Sequence, residues 1–212
     1  MNPTPEKPME LKGITRNFTG QHLSHYGLHY KLNDGHYKTY EVASRHQSLD
    51  HLKTPLGTPA DMADGVSVIV TNRKKTDILL LREFRPAVNQ WVWRLPEGMF
   101  EPGEYQFPDI CATREVFEET GIKLIDTQIV TIPGYANDAI GDTRIVTVFG
   151  LADARQKPKP QNNPLEPIEA YWINRPEALK LLRSNVHLNA RLQLALLWFT
   201  NFNPVFKGVN ED

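Results

Sequence analysis

Residues 108–121 admit few structures. Pro108 suits the first helical position, where no amide donor is needed. Asp109 suits the positive end of a helix dipole, and Gly121 suits the stop just past the last turn. Between them Glu115, Glu118 and Glu119 stand at i, i+3 and i+4, so a helix places all three carboxylates on one face. Carboxylates at that spacing repel, and an isolated helix would not choose them. Ile110, Ala112, Val116 and Phe117 supply an apolar opposite face, which predicts a helix anchored on a core. A solvated acidic face is the ordinary outcome for paired glutamates. Here the anchored face leaves a hard cation as the natural remedy for the repulsion. Arg114 can reach Glu118, one turn on, and help hold it.

Strand signals flank this helix. Val66–Val70, Ile78–Leu81 and Trp91–Leu95 are apolar runs, with 72–77 as a turn between the first two. Further strands are predicted at Gln128–Ile132, Thr143–Leu151 and Glu169–Ile173, and closing helices near Pro176–Ser184 and Asn189–Phe202. The prolines of Lys157–Pro164 mark a long loop. Trp91, Trp93, Trp172 and Trp198 lie in apolar runs and read as core. Upstream, residues 1–10 read as a tail and Gly27–Arg45 as a hairpin turning at Asn33-Asp34-Gly35. Residues 1–60 hold too little apolar material for a core of their own and read as an arm. Strands mixed with few helices predict an α/β sandwich with a mixed sheet, plus an N-terminal β-hairpin arm.

The chain of 212 residues has a net charge of −1, which gives no electrostatic case for nucleic acid or an anionic membrane as partner. The basic run Arg73-Lys74-Lys75 reads as a solvated turn. The single cysteine, Cys111, excludes a disulfide within the chain and reads as a small packing residue. No apolar stretch is long enough to span a bilayer and the N-terminus lacks a signal-peptide pattern, so a cytoplasmic location is expected.

The helix belongs to a longer pattern: Gly98, five residues, Glu104, nine residues, then Arg114-Glu115-x-x-Glu118-Glu119-x-Gly121-Ile122. This resembles the Nudix box. The gap before Arg114 is two residues longer than the family's usual one, an insertion placed among Tyr105-Gln106-Phe107, outside the helix. Leu95-Pro96-Glu97-Gly98 resembles the strand-to-loop entry of the box. Glu83-Phe84-Arg85-Pro86 resembles a segment of the ADP-ribose and ADP-sugar pyrophosphatases, in which the arginine contacts substrate phosphates. Ile145–Val148, the Lys-Pro-Lys-Pro loop and the hairpin arm resemble that subfamily too.

The resemblance implies a Nudix domain over 61–212 and an arm over 1–60 that joins two subunits and contacts substrate. It implies magnesium, with manganese as a substitute, on Glu115, Glu118, Glu119 and the main chain of Glu97. Glu166 is expected as general base, with Glu169 as its alternative, and Arg114 and Glu118 stand beside it as catalytic residues. Arg85, Arg45, Tyr26, Tyr40 and Glu104 are expected at the substrate, with Tyr26 and Tyr40 as an adenine clamp. Ala139 stands where ADP-ribose-selective relatives often carry proline, which implies broad selectivity among sugars. The implied reaction is hydrolysis of a nucleoside diphosphate linked to a second group by a homodimer acting on small nucleotide sugars. Two alternatives are a triphosphate-cleaning enzyme and a non-catalytic nucleotide-sugar sensor. The arm and Arg85 speak against the first, the retained glutamates against the second.

Overall fold

The computed structural model describes residues 7–49, 52, 62–161 and 167–202. Its elements are β1 (Met9–Thr19), β2 (Ser24–Leu32), β3 (Tyr37–Ser44), β4 (Gly65–Thr71), β5 (Asp77–Arg85), β6 (Gln90–Arg94), β7 (Glu97–Met99), α1 (Pro108–Thr120), β8 (Leu124–Ile129), β9 (Gly134–Tyr135), β10 (Arg144–Ala152), β11 (Ile168–Asn174), α2 (Arg175–Arg183), β12 (His187–Leu188) and α3 (Ala190–Phe199). The chain divides into two compact units, Met1–Asp64 with Ile132–Ile145, and Gly65–Thr131 with Val146–Asp212.

In the first unit β1, β2 and β3 form an antiparallel sheet in that order. The expected hairpin is therefore one strand short. Residues 9 and 10, read as tail, begin an eleven-residue strand. Its side chains are mostly exposed, so no burial-driven alternation marks it in the sequence. The predicted turn forms, with Gly35 at φ 89° and the Asp34 side chain accepting from the His36 amide at 3.0 Å. Residues 132–145 join this unit. Ala43 bridges Gly141, and the Asp64 carboxylate accepts from the Arg144 amide at 2.7 Å.

The second unit holds the larger, mixed sheet. β12 runs parallel to β6, whereas β5 is antiparallel to β6, β4 and β11, and β4 to β7. All seven residues of β4 are buried, as are Ile78, Leu79, Leu80 and Leu81 of β5, which is why these runs read as continuously apolar. Helices α2 and α3 place Ala178, Leu192, Ala195, Leu196 and Phe199 in a core with Ile69, Ile78, Leu80 and Leu95. Asn174 and Glu177 close a capping box on α2, and the Asn189 side chain caps α3. Trp198 departs from the expected core position, being 42% exposed, with its ring edge on Phe149. The strand foreseen at 128–132 lies earlier, over β8, and the short strands β7, β9 and β12 carry too few residues to show a pattern. Among the described residues no helix is long and apolar enough to cross a membrane.

Candidate active site

Helix α1 occupies the predicted residues. Pro108 opens it, and Gly121 closes it in the left-handed region at φ 70°, its amide donating to the Phe117 carbonyl at 2.7 Å. Its buried face differs from the expected one. Cys111, Ala112, Val116 and Thr120 are buried, whereas Ile110 and Phe117 are about half exposed. Cys111 is a packing residue, its thiol pushed far up by burial first and by Glu104 and Glu115 next.

The acidic face lies against the buried Arg94 and the partly buried Arg191. Arg94, at the end of β6, donates from Nε to Glu83 of β5 and from Nη2 to Oε1 of Glu119, and from Nη1 to the Leu95 carbonyl at 3.0 Å. The second oxygen of Glu119 accepts the Glu97 amide at 3.1 Å. Glu83 also accepts from Arg85 Nη1 at 2.8 Å. Arg191 of α3 clamps both oxygens of Glu97, at 2.8 and 2.6 Å, and Ser67 adds a bond at 3.0 Å. None of Glu83, Arg94 and Arg191 was singled out from the sequence. A charge inside an apolar strand was the available signal for the first two. Arg191 had none, because it reaches Glu97 across 94 positions of chain.

Arg114 gathers the remaining carboxylates. Its Nε and Nη2 each lie 2.9 Å from an oxygen of Glu104, and its Nη1 donates to Glu115 at 2.8 Å and to Glu118 at 3.1 Å. Its Nη2 also donates to the Met99 carbonyl at 3.0 Å. The inserted residues bulge outside the helix: the Phe107 amide bonds back to the Glu104 carbonyl at 2.8 Å, and Glu104 still arrives at Arg114. Glu104 is buried, with the Glu101 amide on its Oε2 at 2.8 Å. It braces Arg114 here. Gly98 admits the backbone to this contact, since a Cβ there would stand 1.8 Å from the Glu115 carboxyl carbon.

Burial drives two of these carboxyls upward. Glu119 is pushed up to about 7 by burial, with the charge of Glu115 adding to it and Arg94 opposing. Glu115 is raised by burial against the pull of Arg114. Glu104 goes the other way, to about 2, because the Arg114 hydrogen bond outweighs its burial. For Arg94 the balance reverses: burial pulls its pKa down, but Glu119 and Glu83 together leave it raised.

Among the described residues, six carboxylates (Glu83, Glu97, Glu104, Glu115, Glu118 and Glu119) meet four guanidiniums (Arg85, Arg94, Arg114 and Arg191) in this cluster. Fully ionised, it carries an excess of two negative charges on an all-oxygen donor set, the chemistry that suits a hard divalent cation. Among the described residues no three acidic or sulfur or imidazole groups converge into a ready cage. A cation would enter by exchanging carboxylate bonds now made to arginine.

A NUDIX domain model matches residues 61–194, which include this cluster and its helix. The chain belongs to the Nudix hydrolase family. The chain is 29% identical over 147 residues to the GDP-mannose pyrophosphatase of Cronobacter sakazakii, covering 64% of this chain and 73% of that protein. It is 32% identical over 117 residues to the ADP-sugar pyrophosphatase of Mus musculus, about half of each. It is 30% identical over 142 residues to the ADP-ribose pyrophosphatase of Saccharomyces cerevisiae, covering 61% of this chain and 60% of that one. The fold is shared with a crystal structure described as an ADP compounds hydrolase, with a TM-score of 0.67, 14% identity and coverage of 94% of this chain and 95% of the other.

The remaining expected residues of this Nudix chain are scattered. Arg85 lies beside the cluster with its side chain half exposed. Tyr26, Tyr40 and Arg45 belong to the other unit. Tyr26, expected in the adenine clamp, is fully buried, its hydroxyl donating to the His46 carbonyl at 2.7 Å. Tyr40 is 37% exposed, edge-on to Tyr30 and under the Lys38 ammonium, and Arg45 is exposed. Glu166 lies outside the described residues. On one side of it the Gln161 amide bonds to the Glu118 carbonyl at 3.1 Å, and on the other the Phe84 amide bonds to the Pro167 carbonyl at 3.2 Å. Glu169 sits in β11, held by Arg82 at 3.2 Å and by the Tyr171 hydroxyl at 3.1 Å.

Proposed function

We propose that this Nudix hydrolase cleaves the diphosphate bond of a nucleoside diphosphate joined to a second group, ADP-ribose or another nucleotide sugar. The products are a nucleoside monophosphate and the phosphorylated second group. The observation that carries the reading is the two-charge excess of the arginine-laced acid cluster among the described residues, with the half-exposed Arg85 at its edge as one of the four guanidiniums. Names of relatives that act on ADP-sugars and ADP-ribose support the substrate class.

Magnesium, or manganese in its place, would be held on the acidic face of α1, aided by the main chain of Glu97, and would supply charge neutralisation of the diphosphate and polarisation of the phosphorus under attack. Arg85 adds a positive charge that has no proton to lose at neutral pH. Glu118, partly exposed and bonded to Arg114 at 3.1 Å, would be able to turn to the cation while Arg114 kept its two bonds to Glu104. A carboxylate free of the cation must orient and deprotonate the attacking water, since one bound to metal has its basicity spent. Glu166 fits this role better than Glu169, whose carboxylate already serves Arg82 and Tyr171. The reading includes a cytoplasmic homodimer joined through the arm, which light scattering on the full chain checks.

The deciding experiment incubates the protein and magnesium with nucleotide sugars, dinucleotides and nucleoside triphosphates, and identifies the products. Nucleoside monophosphate from diphosphate-linked substrates, faster than any triphosphate is cleaved, is the expected result. Faster turnover of dATP or dGTP than of every diphosphate-linked compound would sink the substrate class. A second reading, a nucleotide-sugar sensor, is favoured by one observation: arginines already occupy all three α1 glutamates. Binding of ADP-ribose without hydrolysis would establish it.

A further inference from the structure

Glu97 is where the acidic face of α1 and the closing helix α3 meet. Its amide donates to Glu119 at 3.1 Å, so its main chain lies directly on that face. Gly98 follows so closely that an added Cβ would stand 1.8 Å from the Glu115 carboxyl carbon. The strand that carries them, β7, has three residues and pairs with β4. Strands of about 5–6 residues are the common length, so this ladder is a short hold. The Glu97 side chain adds a second one. Both its oxygens are taken by Arg191, at 2.8 and 2.6 Å, and Oε1 also accepts from the Ser67 hydroxyl at 3.0 Å. Two parallel bonds from a planar guanidinium fix direction as well as distance. Arg191 is itself anchored. It stands in the first turn of α3, where its amide donates to the Asn189 side chain at 2.8 Å and the Asn189 amide donates to the Trp93 carbonyl at 2.9 Å. Just before it, β12 pairs with β6 at His187 and Leu188.

We infer that Arg191 is a positioning residue for this site: through the Glu97 carboxylate it fixes the Glu97 peptide against the acidic face of α1. The inference rests on the proposed cation-dependent function and adds a residue to it. Among the described residues the Arg191 side chain bonds to Glu97 alone, so its hold on the helix passes through that residue. Charge by itself would act in the other direction. A guanidinium beside an acid cluster weakens the attraction of the cluster for a cation, and its removal would tighten binding. Binding would tighten too if the Glu97 carboxylate itself took the cation, since loss of Arg191 would free it. Positioning has the opposite sign. Without Arg191 the Glu97 side chain keeps only the Ser67 bond, the peptide loosens on the helix, and cation binding weakens.

The test compares the unsubstituted full chain with R191K and R191Q. Mn2+ affinity is read from the paramagnetic resonance signal of the free ion, the Glu97 amide from its exchange rate in NMR spectra of the metal-free protein, and hydrolysis of a nucleotide sugar from steady-state kinetics. R191Q should bind Mn2+ about tenfold or more weakly, the usual scale for losing a group that orients a metal site. Its Glu97 amide should exchange faster. Its kcat should fall by about tenfold or more with KM nearly unchanged, because Arg191 acts on the site and not on the substrate. R191K, which keeps one charged donor and loses the two-pronged geometry, should recover part of the affinity. Unchanged or tighter Mn2+ binding in folded R191Q overturns the inference. Should R191Q fail to fold, R191K and E97Q decide: both should weaken Mn2+ binding, and normal affinity in either overturns it. Failure of the unsubstituted chain to bind Mn2+ removes the proposed function and the inference together. Mn2+ bound by the unsubstituted chain and weakened in R191Q, without turnover of any diphosphate, removes the proposed function and leaves the role of Arg191 standing.

Discussion

Arg94 and Arg114 solve one problem in two environments. Arg94 holds Glu119 of α1 and Arg114 holds Glu115 and Glu118, each together with a carboxylate from elsewhere, Glu83 for Arg94 and Glu104 for Arg114. The Arg94 group is closed. Its three side chains are each at most 11% exposed, and both oxygens of Glu119 are bonded. The Arg114 group opens to solvent at Glu118 and holds two more carboxylates than its one charge offsets. Ion pairs with the same chemistry can therefore serve as scaffold or as exchangeable site, and what separates them is burial and local charge balance. Removing a partner from a buried pair strands the other charge, whereas a solvated pair is cheaply broken.

The largest effect should come from breaking the closed group. Arg94→Ala leaves Glu83 and Glu119 buried without their guanidinium, at an expected cost of about 3–5 kcal/mol, the range for a buried pair that loses one member. Arg114→Ala should cost clearly less, because water can solvate Glu118 and relieve Glu115. Urea unfolding of both variants checks the order; equal losses would erase the contrast.

The catalytic counterpart concerns a carboxylate outside both groups. Glu166→Gln should lower kcat by roughly a hundredfold or more with little change in KM, as removal of a general base does. Glu169→Gln should stay near normal, because Glu169 is already bound to Arg82 and Tyr171. Steady-state kinetics on a nucleotide sugar separates them, and the reverse pattern would move the base to Glu169.

The two groups should also titrate with opposite sign. Glu104 is held at about 2 in the fold against an ordinary 4.5, so its stabilising contribution is complete above about pH 4.5 and is lost as pH falls toward 2. Glu119 is held up at about 7, so its protonated form favours the fold, and that advantage is lost as pH rises from about 4.5 through 7. Metal-free protein should therefore lose the first contribution in acid and the second on approach to neutrality. Urea midpoints from pH 3 to 8 should show a Glu104→Gln chain without the acid loss and a Glu119→Gln chain without the neutral one.

The smallest effect tests what holds the end of α1. The Lys159 amide donates to the Thr120 carbonyl at 2.7 Å, and a Cβ on Gly121 would stand 2.5 Å from the Lys159 carbonyl oxygen. Lys159→Pro removes one donor in a segment that neighbouring prolines already keep extended, for an expected loss of about 1 kcal/mol. Lys159→Ala keeps the donor and should be neutral. Equal thermal midpoints in the two would show that the amide contributes nothing.

Much of this protein was legible locally. Helix α1 could be drawn from fourteen consecutive residues, because its caps and its glutamate spacing are set by neighbours in the chain. The buried runs of β4 and β5 announce themselves by being apolar throughout. The insertion before α1 could be placed outside the helix, because Pro108 fixes where the helix starts. Three things could not be read this way. Strand β1 exposes most of its side chains, so it leaves no periodic trace. Tyr26 looks like any hairpin aromatic until the fold buries it and binds its hydroxyl. The partners of the glutamates are the third. Arg94 lies 25 positions from Glu119, and Arg191 lies 94 positions from Glu97. The sequence by itself determined that three carboxylates share one helix face, because a helix is periodic over a few residues. Only the tertiary structure decided which of them is locked by a guanidinium and which stays open, because burial and charge pairing are set by strands and helices distant in the chain.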